Sequence, residues 1–86
     1  MYSKTAIVRH EAGLHARPAT IFIQKASNFA AKITISKEEK TVDAKSILKV
    51  LTLGVAQGNS VLIAADGIDE KDAVETLVAL VESDEG

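Results

Sequence analysis

Residues 60–82 read SVLIAADGIDEKDAVETLVALVE, and the hydrophobic period changes partway along this stretch. Val61, Ile63 and Ala65 alternate with Ser60, Leu62 and Ala64, the two-residue period of a strand over Ser60–Ala65 with one buried face. Gly67 punctuates the run. Beyond it Val74, Leu77, Val78 and Val81 recur three or four apart, the stripe of an amphipathic helix over Glu70–Glu82. Asp69 stands where an N-cap is expected, and Glu70 and Asp72 suit the positive start of that helix. A strand with one apolar face and a helix with one apolar stripe are complementary halves of a single core.

The same alternation extends toward the N-terminus. Gly58-Asn59 turns into the strand just described. A short helix is expected over Ser46–Leu53, with Ser46 as its N-cap and Gly54 closing it. Lys32–Ser36 places Ile33 and Ile35 on one face, and Thr41–Asp43 is short enough to be an edge strand. Between them Lys37-Glu38-Glu39-Lys40 makes a charged hairpin turn without the usual Asn-Gly signal. A helix over Ala16–Ser27 turns Ala19, Phe22, Ile23 and Ala26 inward. A first strand over Ser3–Arg9 has Ala6 and Val8 on one face and Thr5, Ile7 and Arg9 on the other. The order β-α-β-β-α-β-α, with half-polar strands, predicts a two-layer α+β fold: an antiparallel sheet with helices on one face and water on the other. No repeat or linker divides the chain, so residues 1–86 are read as one domain.

Composition narrows the function classes. The 86 residues are 47% hydrophobic and 26% charged, a globular and not a disordered balance. Cysteine is absent, which excludes disulfides, thiolate metal sites and thiol catalysis. No apolar run approaches the roughly 18–20 residues needed to span a bilayer. No signal peptide opens the chain, so a cytoplasmic protein with no membrane insertion is expected. The net charge of −2 and the three aromatic residues argue against nucleic-acid binding. The charge is uneven. Residues 1–49 carry nine Lys or Arg against four Asp or Glu, or +5, and residues 50–86 carry one against eight, or −7. Such a dipole suits docking to acidic partners or anions, provided that the halves of the sequence are also halves of the surface.

The segment Gly13-Leu14-His15-Ala16-Arg17-Pro18-Ala19-Thr20 is the least generic part of the chain. His15 lies between a glycine-containing loop and a helix start. Pro18 fits a first helical turn, where amides lack helical partners. The N–H groups of Ala16 and Arg17 are then left for an anion, with phosphate the usual guest, and the Arg17 guanidinium can grip its oxygens. An imidazole with a reference pKa of about 6.5 is available as a neutral nucleophile near pH 7. It is also a good leaving group, so a phosphoryl taken up on nitrogen is readily passed on. The helix start would hold the group by position and charge, with no cofactor and no metal in the protein. No carboxylate nearby is an obvious base, Glu11 being the nearest, and no second substrate pocket is marked. The segment therefore points to a carrier and not a complete enzyme. The plain alternative for His15 is a capping or surface histidine; His10, which lacks such company, is read as an exposed strand-end residue.

The run Gly-Leu-His-Ala-Arg-Pro-Ala at 13–19 resembles the active-site motif of the HPr family, the histidine phosphocarriers of the sugar phosphotransferase system. The likeness continues through Ala44-Lys45-Ser46-Ile47-Leu48, Thr52-Leu53-Gly54 and Asp69-Glu70. It implies an open-faced sandwich, a four-stranded antiparallel sheet covered on one face by three helices. It implies that Enzyme I, phosphorylated from phosphoenolpyruvate, phosphorylates Nδ1 of His15, and that His15 passes the group to IIA domains of sugar permeases. Arg17 would neutralise the phosphoryl oxygens, with the backbone N–H groups of Ala16 and Arg17 donating to them. Ala12 departs from the pattern, because relatives often carry a small polar residue there.

Ser46 has two readings. By its position it is an N-cap. By the resemblance it matches a serine that an HPr kinase/phosphorylase modifies in some relatives, a mark read by a catabolite-control transcription regulator. On the helix at 16–27, Thr20, Ile21 and Gln24 lie off the core stripe. Ile21 would join Ile47, Leu48 and Leu51 in a partner-docking patch, unless those apolar residues are plain core. A monomer is expected. Two other readings stay open: a nitrogen-branch or otherwise specialised carrier, against which Lys45-Ser46-Ile47-Leu48 speaks weakly, and a non-catalytic module that binds an anion or a partner at the same helix start.

Overall fold

The computed structural model describes residues 1–10 and 16–83, with Ala16 and Arg17 as backbone only. The elements are β1 (Tyr2–Ile7), α1 (Ala16–Ser27), β2 (Lys32–Lys37), β3 (Lys40–Asp43), α2 (Ile47–Leu51), β4 (Ser60–Asp66) and α3 (Glu70–Glu82). The strands form one sheet in the order β1-β4-β2-β3, and every pairing is antiparallel. The expected α+β architecture, an open four-stranded antiparallel sheet with three helices, is the one observed.

Register explains which residues enter the core. Ala6 faces Val61, Ile33 faces Ala65, Ile35 faces Ile63 on one side and Val42 on the other. All but Val42, which is half-buried, are sequestered with Ala19, Phe22 and Ala26 of α1 and with Ala73, Val74, Leu77, Val78 and Val81 of α3. Among the described residues every buried side chain is apolar. The opposite face carries Ser3, Thr5, Thr34, Ser36, Thr41, Leu62 and Ala64, and Ser36 and Thr41 share a hydroxyl hydrogen bond of 2.7 Å there.

Several boundaries differ from the sequence reading, each for a visible reason. β1 stops at Ile7, two residues earlier than expected, because its partner β4 begins at Ser60 opposite Ile7. Val8 stays buried although it has left the ladder. α2 is only Ile47–Leu51, since Ser46 is its N-cap and Thr52 its C-cap, and Gly54 follows with a left-handed φ of 62°. The β2–β3 turn closes through Glu38 at φ 57°, a conformation usually left to Gly or Asn. Ile23 is half-buried against the core and not within it, while Ala73, absent from the expected stripe, is fully buried. His10, expected as an exposed strand end, is half-buried beyond the end of β1.

The expected cap of α3 does something else. Asp69 occupies the N-cap position without a side-chain bond to its own helix. Its carboxylate instead accepts from the Ala30 and Ala31 N–H groups, both at 2.8 Å, and so ties the β4–α3 turn to the α1–β2 connection. Those bonds, the Ala30 amide first, hold the Asp69 carboxyl below the usual carboxylate range. Gly67 lies in the same corner, where a Cβ would come within 2.6 Å of the Ala31 Cα. The Glu70 carboxyl is also lowered, first by the Gly67 N–H it accepts and then by the Met1 ammonium at 3.1 Å. Across the sheet edge, Tyr2 and Lys4 both donate to Glu75 of α3, which lowers the Glu75 carboxyl and raises the Tyr2 hydroxyl and the Lys4 ammonium.

Gly67→Ala should destabilise the fold by about 1–3 kcal/mol, measured by chemical denaturation, because the backbone of Ala31 blocks the new methyl. Carboxyls with lowered folded-state pKa values stabilise the protein above about pH 4, and that stability is lost as the pH falls through the folded values. The melting temperature should therefore decline on acidification below about pH 4. In Asp69→Asn it should be lower at neutral pH and decline less in acid.

Candidate functional site at the start of helix α1

α1 begins at Ala16, and its first turn contains no acidic residue, whereas its last turn contains Lys25. A first turn without a carboxylate leaves the positive end of the helix unneutralised by its own residues. The helix is anchored immediately afterwards, with Pro18 half-buried and Ala19, Phe22 and Ala26 wholly sequestered. It packs against both α2 and α3, which sets the direction in which its start points. Ala16 and Arg17 are thus the first two residues of a helix seated on the core. His15, with Glu11 to Leu14, lies outside the described residues.

Ser46 is the N-cap of α2, extended at φ −113° and ψ 111°, and its hydroxyl accepts from the Lys49 N–H at 3.4 Å. Val50 is the one α2 residue sealed in the core. Ile47 is half-buried and packs on that core, Leu51 is partly exposed, and Leu48 is 75% exposed. On the neighbouring α1, Thr20 and Gln24 are exposed and Ile21 is half-buried. Leu48 and Leu51 are thus exposed apolar residues on a helix that packs against α1.

Sequence reasoning did not find the cations that brace this region. Lys37 Nζ donates to the Gly54 carbonyl at 2.9 Å and Lys40 Nζ to the Thr52 carbonyl at 3.3 Å, so the β2–β3 hairpin neutralises the negative end of α2. Lys45 Nζ donates to the Phe29 carbonyl at 2.7 Å and joins the start of α2 to the end of α1. Lys4 of the positive sequence half pairs with Glu75 of the negative half at 3.2 Å. The two halves of the charge division thus meet at this pair, and Lys37, Lys40 and Lys45 serve the fold by bonding backbone carbonyls. Among the described residues no cluster of His, Asp or Glu is placed to hold a metal ion, and no helix is long and apolar enough to cross a membrane.

The family model of the PTS HPr component phosphorylation site matches residues 2–83. The chain belongs to the HPr family. It is 46% identical over 81 residues to the phosphocarrier protein HPr of Haemophilus influenzae, covering 94% of this chain and 95% of that one. The crystal structure of HPr from Thermoanaerobacter tengcongensis superposes with a TM-score of 0.94 at 46% identity, over 98% of this chain and 94% of the other. Crh of Bacillus subtilis, a catabolite-repression protein solved as a swapped dimer, superposes with a TM-score of 0.78 at 39% identity, over 98% and 97% of the two chains. In its HPr relatives the fold serves a phosphocarrier, and in Crh a protein named for catabolite repression.

Two substitutions on α2 should separate surface from core. Leu48→Ala should change stability by less than about 0.5 kcal/mol, because the side chain is largely exposed. Val50→Ala should cost about 2 kcal/mol, from the lost apolar burial and the cavity left behind. Urea titrations of the two variants check the contrast.

Proposed function

We propose that this member of the HPr family accepts a phosphoryl group from phosphorylated Enzyme I on Nδ1 of His15 and passes it to IIA domains of sugar permeases. The observation that carries the reading is the Gly-Leu-His-Ala-Arg-Pro-Ala run at 13–19, lying within the region matched by the family's phosphorylation-site model. In the transfer, the imidazole nitrogen attacks phosphorus as the Enzyme I leaving group departs, and the reverse occurs toward the acceptor. The N–H groups at the start of α1 and the Arg17 guanidinium hold the oxygens, a role supported by the absence of any acidic residue in the first turn. The protein is a carrier in this scheme and not a catalyst with its own turnover. It acts as a cytoplasmic monomer and docks through Thr20, Ile21, Gln24, Ile47, Leu48 and Leu51.

Ser46 is the proposed regulatory site, phosphorylated by an HPr kinase/phosphorylase and read by a catabolite-control transcription regulator. A phosphate there adds about −1.5 to −2 charges at a helix start that tolerates them, so the fold should persist. The same charge stands two residues from exposed Leu48 and would oppose docking. A second reading, a regulator on the carrier fold, is favoured by the likeness to Crh.

Incubation with Enzyme I and phosphoenolpyruvate should add one acid-labile phosphoryl group, seen by intact-mass spectrometry, and His15→Ala should abolish it. Label persisting in His15→Ala would assign the acceptor elsewhere, and no label on the wild type would favour the regulator. Arg17→Ala should slow transfer by about ten- to a hundredfold without a large change in melting temperature. Sedimentation at assay concentration checks the monomer.

A further inference from the structure

We infer that Lys37 and Lys40 are positioning residues for the docking surface on α2, with the β2–β3 hairpin acting as a prop for that helix. The inference rests on the carrier reading above, in which partners meet Leu48 and Leu51. α2 has little of its own to hold it in place. It is five residues long, well short of the roughly 12–15 at which an isolated helix becomes marginal, and Val50 is its one side chain sealed in the core. Its pose is therefore set largely at its ends.

At the N-terminal end the β3–α2 turn supplies the contacts. The Lys45 N–H donates to Asp43 Oδ1 at 2.9 Å, the Ser46 N–H to the Asp43 carbonyl at 3.2 Å and the Ala44 N–H to the Ile33 carbonyl at 3.0 Å. At the C-terminal end the chain closes part of the helix itself. The Thr52 N–H reaches the Leu48 and Lys49 carbonyls, the Leu53 N–H the Val50 carbonyl and the Gly54 N–H the Leu51 carbonyl. The Thr52 and Gly54 carbonyls beyond take their donors from the hairpin, Lys40 Nζ at 3.3 Å and Lys37 Nζ at 2.9 Å.

The hairpin carries a local cost in doing so. Lys37 and Lys40 are direct partners across the β2–β3 ladder, so their side chains leave the same face, and like charges placed opposite each other repel. The link between them bends through Glu38 at φ 57°, where glycine or asparagine is the usual choice. Neither feature helps the hairpin itself. The repulsion is offset at α2, where each ammonium has its own carbonyl at the negative end of a helix. Local conflict resolved by a different element marks residues placed for more than local stability. Because α2 also packs against α1, slackening its C-terminal end shifts Leu48 and Leu51 relative to Thr20, Ile21 and Gln24, and a partner that spans both helices loses complementarity.

The double variant Lys37→Met, Lys40→Met keeps the apolar stems and removes both donors. It should raise the KM of Enzyme I for this carrier about three- to tenfold and leave kcat within about twofold, because docking is weakened and the chemistry is not. Water can take over the two carbonyls, so the melting temperature should fall by no more than about 8 °C. Amide hydrogen exchange of residues 48–54 should quicken while that of β4 stays unchanged. Lys37→Arg, Lys40→Arg, which keeps both donors, should restore KM and exchange together. A raised KM with unchanged exchange would make the lysines direct contacts of the partner and overturns the inference. Faster exchange with unchanged KM overturns it as well, and so does faster exchange that spreads into β4. A wild type that accepts no phosphoryl group defeats the carrier reading, and the docking role with it, whatever the exchange shows.

Discussion

The direction of α1 is fixed because the body of that helix is nailed down by apolar contact. Phe22 is the largest wholly buried side chain, enclosed with Ala19 and Ala26 in a layer completed by Ile33, Ile35, Ile63 and Leu77. No described polar side chain is buried in that layer. Burial at roughly 25 cal/mol per Å² has no direction of its own, so direction comes from shape. One face of the sheet is apolar, the helices have stripes to match, and α1 has a single seat.

Polar contacts then correct what packing leaves loose at the corners. Asp69 fastens the α1–β2 connection, Glu75 receives Tyr2 and Lys4 of the edge strand, and Lys37 and Lys40 stand on the last carbonyls around α2. All of these lie at the margin of the apolar layer, where ions remain hydrated and modest in strength. Their value is in geometry. Each joins elements distant in sequence, and together they hold short connections that a core of this size could not discipline alone.

Much of this was readable from residue order, and the unread part shares one cause. Alternation in Ser60–Ala65 and three-four spacing in Glu70–Glu82 depend on neighbours along the chain, and both elements appear where expected. Ser46 was recognisable as a cap because its partner is three residues away. Asp69 looked like a cap for the same reason, yet it bonds amides nearly forty residues distant, which no local pattern encodes. β1 ended early because of where β4 begins, again a fact about a distant strand. The lysines at the end of α2 belong to the same group. The Gly13–Ala19 run was conspicuous for its chemistry, and its residues from Ala16 onward open the helix that Ala19, Phe22 and Ala26 anchor.

The uncovered side of the sheet is under a lighter packing constraint than the covered one. Ser3, Thr5, Thr34, Ser36 and Thr41 stand there as small polar groups, with Leu62 and Ala64 of β4 between them. Half of each strand is therefore exempt from the demands of the interior. Substitutions between small polar residues on that side should cost little stability, while the opposite side keeps the helices in place.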